Sequence, residues 1–329
     1  MNPFTYECAS DAARAVAAVA ADPGAMFLGG GTNLVDHMRL GVATPERLID
    51  ITRLPFDRVE ETPDGGMRIG ANVRNTDLAV HPLVRARYPV LSQALLSGAS
   101  GQLRNMATTA GNLLQRTRCV YFQNVTTPCN KRRPGSGCSA IGGYTRYHAV
   151  LGASERCIAV HPSDMAVAMA ALDATVIALG PSGERQIPLV DFHRLPGDEP
   201  DRDTVLRHGE LITAVVLPAL PFAAHSLYRK VRDRRSFAFA LVSVAAALQV
   251  RDGMVEDVRI AFGGVAHKPW RARRAEGILR AGAATTEQFE RAADAELSSA
   301  QPQPGNAFKV KMLRNTLVAT LQELAGVAA

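Results

Sequence analysis

Four of the chain's five cysteines, Cys119, Cys129, Cys138 and Cys157, fall within 39 residues, separated by nine, eight and eighteen others. Thiolates gathered this way suit soft metal chemistry, either an iron–sulfur cluster or zinc. Structural zinc usually takes two ligands from a tight Cys-x-x-Cys knuckle, and no pair here has fewer than eight residues between its members. Two disulfides would need an oxidising compartment and would leave the glycine- and arginine-rich character of the loop unexplained. Iron–sulfur is therefore the leading reading, with zinc and unligated or disulfide-bonded cysteines as rivals. Between Arg116 and Cys157 stand six arginines and one lysine (Arg116, Arg118, Lys131, Arg132, Arg133, Arg146, Arg156) against one acid, Glu155. Such a loop is expected to offset the negative charge of a thiolate-held centre, although zinc on four thiolates would be equally negative. The glycines of Pro134-Gly135-Ser136-Gly137 and Ile141-Gly142-Gly143 are expected to let backbone amides approach the sulfurs. Cys8, distant from the loop, reads as a small inert hydrophobe.

Two glycine turns flank this chemistry. Gly29-Gly30-Gly31-Thr32-Asn33 offers consecutive amides free of Cβ atoms, a cradle for a pyrophosphate at a helix start, and Thr108-Thr109-Ala110-Gly111-Asn112 directly precedes the cysteine loop. Either could be no more than a turn. Neither is Gly-x-Gly-x-x-Gly in a nicotinamide-type βαβ unit. Asp164 reads as a helix cap or as an acceptor for the hydroxyls of a nucleotide tail, and Lys230 as a solvated strand lysine or a cation reaching a cofactor. His148 and His161 read as ordinary loop and capping histidines. No serine, histidine and acid arrangement suggests covalent catalysis.

The elements that must hold these residues form a mixed α and β pattern. Ser10 is expected to cap an alanine-rich helix that Asp22-Pro23-Gly24 ends, and residues 25–28 read as a short buried strand entering the first turn. Residues 48–51 form another strand, and Asp64-Gly65 turns a hairpin. From 75 to 96 the apolar spacing is helical, broken at Pro82 and Pro89. His161-Pro162-Ser163-Asp164 opens a helix to about 172, with a proline and a carboxylate where a first turn favours them; strands follow at 174–179, 185–189 and 211–217, and Pro218 and Pro221 mark a boundary. Beyond it, 226–231, 239–250 and 254–262 read as an antiparallel meander turned at Asp252-Gly253, with helices at 270–281, 286–297 and 307–325.

With 329 residues, 47% of them apolar, the chain can bury a full core. It carries no apolar run near the ~20 residues that span a bilayer, and its start lacks the pattern of a secretory signal, so export would depend on a partner. The formal charge of +6 comes without interleaved aromatics or a reading motif, which argues against nucleic acid as a partner.

Taken in order, Gly29-Gly30-Gly31-Thr32-Asn33-Leu34, Ala107-Thr108-Thr109-Ala110-Gly111-Asn112, His161-Pro162-Ser163-Asp164, Gly209-Glu210-Leu211-Ile212 and Tyr228-Arg229-Lys230 resemble the FAD-binding medium subunits of the xanthine dehydrogenase and molybdenum hydroxylase family. The cysteine loop, with Arg118-Cys119, Pro128-Cys129, Gly137-Cys138 and Cys157-Ile158, resembles the insertion of three-subunit periplasmic aldehyde oxidoreductases. The resemblance implies an α+β fold: a vanillyl-alcohol-oxidase type FAD-binding domain of two subdomains over 1–222, with a 4Fe-4S loop insertion at 117–158, and a small C-terminal α+β domain over 223–329. It implies that Met26, Phe27, Leu28, Gly29, Gly30, Gly31, Thr32, Asn33, Leu34 and Thr108 contact FAD, with Gly111, Asn112, Asp164, Ile212 and Lys230 nearby. It implies Cys119, Cys129, Cys138 and Cys157 as ligands of a 4Fe-4S cluster. Ala110 stands where many relatives have glycine, which would shift the backbone contact there. The implied partners are a large molybdenum-cofactor subunit and a small 2Fe-2S subunit, with the organic substrate oxidised by the large one. Co-export to the periplasm with a signal-bearing partner is the implied location, the cytoplasm the alternative. A rival function is a self-sufficient flavoprotein reductase or oxidase with a structural zinc loop; a third is an assembly module with vestigial turns that binds no FAD.

Overall fold

A computed structural model describes residues 1–327 of the chain. Strands Thr5–Cys8, Ala25–Leu28 and Arg47–Asp50 alternate with helices Ala12–Ala20 and Leu34–Arg39. The strands pair in parallel with Arg47–Asp50 in the middle. Parallel pairing requires crossovers, and the two helices supply them. Asp11, not Ser10, caps the first helix: its carboxylate accepts from the Arg14 amide at 2.8 Å, while Ser10 Oγ is turned to the same carboxylate. Ala25–Leu28 is only partly buried, because it is an edge strand and leaves Met26 exposed.

A second, antiparallel sheet runs in the order Val59–Glu61, Met67–Gly70, Leu211–Leu217, Thr175–Gly180, Gly183–Pro188. The first two strands form the hairpin expected at Asp64-Gly65, with Gly65 at φ +81°. Prolines cut the following helical stretch into Asn75–Val80, Pro82–Arg87 and Pro89–Ser97, as a missing amide and a fixed φ demand. Helix Asp164–Ala171 is buried at every position, since it lies between Pro89–Ser97 and the carboxy-terminal sheet.

That third sheet runs Trp270–Arg271, Met254–Gly263, Val242–Arg251, Ser226–Val231, all antiparallel. Alternation along its strands divides two cores. Ala245 and Ala261 face the amino-terminal core, where small side chains let helix Asp164–Ala171 approach. Val244, Ala246, Ile260 and Phe262 face Leu317 and Leu321 of helix Phe308–Ala325. Helix Thr286–Leu297 forms where expected, but the helix expected from 270 begins only at Arg273. Trp270–Arg271 adds a strand instead, because Arg271 is drawn into a buried network with Asp173, Glu276 and the Ala170 carbonyl, and Trp270 Nε1 donates to Glu296 at 2.8 Å. The meander's second strand likewise starts at Val242 rather than 239.

Candidate functional site

The two glycine turns pack against each other. A Cβ on Gly29 would sit 3.2 Å from Thr108 Oγ1, and one on Gly30 would run into the backbone carbonyl of Met106. Gly31 takes φ +74°. Glycine is thus required here by close approach as well as by backbone angle. Thr108 Oγ1 accepts from the Gly111 amide at 3.1 Å and so starts helix Thr109–Leu113. Asn112 Oδ1 accepts from Ser163 Oγ at 2.5 Å and from Gln115 Nε2 at 2.8 Å; Asn33 Oδ1 accepts from the Arg116 amide at 3.0 Å. These bonds tie both turns to the cysteine loop and to helix Asp164–Ala171.

In front of the turns a cavity is lined by Thr32, Asn33, Gly111, Asn112, Asp164 and Lys230. It adjoins a second that runs past Cys119 and His148 to Gly264. Both are bounded by Arg118, Pro162, Asp164 and Phe239, so they read as one cleft between the amino-terminal part and the third sheet. Of the other residues expected at a cofactor, Met26, Phe27 and Leu28 lie on the strand before the first turn, Gly29, Gly30, Gly31 and Thr108 in the two turns and Leu34 on the helix after the first, none of them lining the cleft. Ile212 is buried in the second sheet opposite Ala178, away from it.

Asp164 does not cap its helix; Ser163 does, accepting from the Ala166 amide at 2.9 Å. Lys230 is not solvated either. Its Nζ lies 2.7 Å from Asp164 Oδ2, with side-chain exposures of 4% and 9%, and also donates to the Ser97 carbonyl at 3.1 Å. Tyr228 donates its hydroxyl to Asp164 Oδ1 at 2.5 Å, and burial together with that carboxylate holds the phenol well above its usual range. The cleft wall also carries Asn75, Arg104 and Arg118, which the sequence reading did not single out as cofactor contacts. Around the cavity in front of the turns, four buried polar atoms have no protein partner: Asn33 Nδ2, Asn75 Oδ1, Arg104 Nε and Arg118 Nε. Burial lowers the Arg118 guanidinium from its ordinary value, and its cation rests over the Phe239 ring at 5.2 Å. An unsatisfied buried polar group costs about 1–3 kcal/mol, so this wall fits a ligand rich in oxygens, as the phosphates and hydroxyls of FAD are.

The cysteines converge. Cys129 and Cys138 pair as an isolated antiparallel bridge, Cys157 pairs with Ser154, and all four of the loop line one small cavity. Each is free, which removes the disulfide reading. Burial pushes Cys119 up to about 11 and Cys157 up to about 12, the latter against the charge of Lys131, so any metal entering must displace thiol protons. Among the described residues no three His, Cys, Asp or Glu side chains are grouped to hold a single ion. The four thiols, brought to one place with Lys131 lining the same space, suit a thiolate-held metal centre.

The loop's basic residues are largely spoken for, contrary to expectation. Arg116 and Lys131 both pair with Asp203, Arg146 with Asp233, and Arg156 with Asp198. Burial acts to raise the Asp203 carboxyl, but Lys131 and Arg116 hold it well below the usual range. Arg132 donates to the Tyr121 and Phe122 carbonyls at 2.9 and 2.7 Å. The loop glycines do not line the cysteine cavity: Gly135, Gly137 and Gly142 take positive φ in turns, and the Gly137 amide donates to Asn130 Oδ1. Cys8 is exposed, its sulfur 3.3 Å from the Tyr6 hydroxyl. His161 is buried and shares the Leu113 carbonyl with His193. His148 is not an ordinary loop residue, for its Nε2 lies 3.1 Å from Cys119 Sγ; burial, then the charge of Lys309, pushes it down to about 4.

Two family profiles cover nearly the whole chain: the FAD binding domain in molybdopterin dehydrogenase over residues 2–220, and the CO dehydrogenase flavoprotein C-terminal domain over 226–324. The chain is 54% identical to the aldehyde oxidoreductase FAD-binding subunit PaoB of Escherichia coli K12 across 324 residues, 98% of each protein. It is 29% identical to the glyceraldehyde dehydrogenase medium chain of Sulfolobus acidocaldarius, over 83% of this chain and 79% of that one. Among solved structures, carbon monoxide dehydrogenase of Hydrogenophaga pseudoflava superposes with a TM-score of 0.77 at 26% identity, covering 100% of this chain and 99% of that one. The chain belongs to the FAD-binding medium subunits of the CO and xanthine dehydrogenase family.

Proposed function

We propose that this chain is the electron-transfer subunit of a molybdenum-dependent aldehyde oxidoreductase, holding FAD in the cleft and a 4Fe-4S cluster on Cys119, Cys129, Cys138 and Cys157. A large molybdenum-cofactor subunit and a small 2Fe-2S subunit complete the complex, and an external acceptor takes the electrons. The observation that carries the reading is the position of Cys119, which lines both the cysteine cavity and the cleft. The likeness to an aldehyde oxidoreductase subunit across the full length supports the substrate class.

FAD, when bound, supplies the ability to take up an electron pair and release electrons singly or together. The chain's own residues bind and orient. The paired glycine turns bring backbone amides close; Asn33, Asn75, Arg104 and Arg118 offer the unpartnered polar atoms. Asp164, fixed by Tyr228 and Lys230, joins the amino-terminal part to the third sheet and keeps the cleft in one shape. Phe237 and Phe239 form an apolar lip of the cleft.

The zinc reading is the weaker one. Four thiolates suit either metal, but structural zinc usually takes two ligands from a tight Cys-x-x-Cys knuckle, and the loop has none. Location in the periplasm, reached with a signal-bearing partner, belongs to the same proposal and is tested by releasing the complex from cells by osmotic shock. The function itself is tested by adding aldehyde anaerobically: the flavin's visible absorption should bleach in the assembled complex and stay unchanged in the FAD-loaded chain alone. Bleaching by the lone chain would refute the reading.

A further inference from the structure

The His148 side chain is buried, and its single polar contact is a sulfur. Nε2 lies 3.1 Å from Cys119 Sγ, while Nδ1 has no partner. The residue is anchored by its backbone: the amide donates to the Thr145 carbonyl at 2.9 Å, and the carbonyl accepts from Lys309 Nζ at 2.8 Å and Asn306 Nδ2 at 3.2 Å. Lys309 and Asn306 stand at the start of helix Phe308–Ala325, so the ring is aimed at the sulfur by the carboxy-terminal domain. His148 lines the cleft and not the cysteine cavity. It therefore meets Cys119 from the side on which the cleft lies.

A metal-bound thiolate has only lone pairs to offer, so a ring nitrogen at this distance must carry the hydrogen and donate it. A hydrogen bond to a thiolate ligand strengthens as the centre gains negative charge, and so favours the reduced state. We infer that His148 is a positioning residue for an iron–sulfur centre, donating Nε2–H to the Cys119 sulfur at its cleft-facing corner and thereby raising the centre's reduction potential. The inference rests on the cluster reading above. Through Lys309 and Asn306 it also makes the potential depend on how the carboxy-terminal domain is docked.

The test is a redox titration, followed by electron paramagnetic resonance, of the anaerobically purified complex carrying wild-type chain, His148→Leu or His148→Gln, with iron, sulfide and zinc counted in each. His148→Leu should show about a tenfold lower ratio of reduced to oxidised cluster at a fixed potential, about 59 mV for a one-electron couple. His148→Gln, which keeps an N–H, should return toward wild type, and the flavin potential should not move. An unchanged cluster potential in His148→Leu overturns the inference while leaving the cluster reading standing. Zinc in the wild-type complex, with no more iron and sulfide than the Cys129→Ser complex holds, removes that reading, and the inference with it. If His148→Leu loses its iron, isotopically labelled histidine decides: a nitrogen coupling at the reduced cluster that vanishes in His148→Gln supports the inference, and no coupling overturns it.

Discussion

Replacing Asp164 with alanine should be the most damaging single change in the cleft that leaves every cysteine in place. Asp164 and Lys230 are buried to 9% and 4% side-chain exposure and lie 2.7 Å apart, and the Tyr228 hydroxyl depends on the same carboxylate. Removing one member of a buried pair costs about 3–5 kcal/mol, because the remaining charge has no counter-ion and no water. For a unit of this size each kcal/mol lowers Tm by about 2–4 °C, giving a fall of about 6–20 °C. The assay is thermal unfolding followed by near-ultraviolet circular dichroism, on flavin-stripped chain and again with FAD in constant excess, so that lost ligand stabilisation is separated from lost pairing. Asp164→Leu combined with Lys230→Met should recover most of the loss, since an apolar pair removes the stranded charge. A fall of about 2 °C or less for Asp164→Ala in the stripped chain would refute the reasoning, for it would mean that Lys230 reaches water.

Three further outcomes follow from the same geometry. Gly30→Val places a side chain against the Met106 carbonyl, a backbone atom that cannot move aside, and should lower FAD per purified chain severely; a wild-type count would contradict the role of the turn. Cys129→Ser should lose most of its iron and sulfide while keeping flavin, because the cleft does not include Cys129, and full iron would contradict the ligand set. Acid should destabilise the fold through its buried histidines. Burial pushes His193 and His267 down to about 4 from 6.5, so between those values the unfolded chain takes up protons that the folded chain refuses. Stability then falls with falling pH by about 1.36 kcal/mol per unit for each histidine. His193→Gln should make the measured slope shallower by one such contribution, and an unchanged slope would count against it.

What the sequence revealed, and what it concealed, divides by range. The glycine turns, the hairpin at Asp64-Gly65 and the proline breaks at Pro82 and Pro89 are dictated by local backbone chemistry, and they stand where local chemistry puts them. The cysteine cluster was legible because its members lie close along the chain. Partners from distant segments were not. Asp203 and Asp233 neutralise cations of the loop that lie 72 or 87 positions away, so a count within residues 116–157 overstated the free charge. His148 has no local signal: its approach to Cys119 is set by Asn306 and Lys309, across 158 and 161 residues. Trp270 and Arg271 are drawn out of a helical pattern by Glu296, Asp173 and Glu276, contacts that only the folded chain creates. Asn75, Arg104 and Arg118 became visible as cleft residues through what they lack, a partner for a buried polar atom.

On the proposed function, one chain holds both FAD and an iron–sulfur cluster, on either side of Cys119. This is tested most directly by counting FAD, iron, acid-labile sulfide and zinc per chain after anaerobic purification of the complex, with the partner subunits' own iron subtracted using the Cys129→Ser complex. The account predicts one FAD together with about four iron and four sulfide lost in that variant. Zinc in place of iron, or a wild-type chain without flavin, would contradict it.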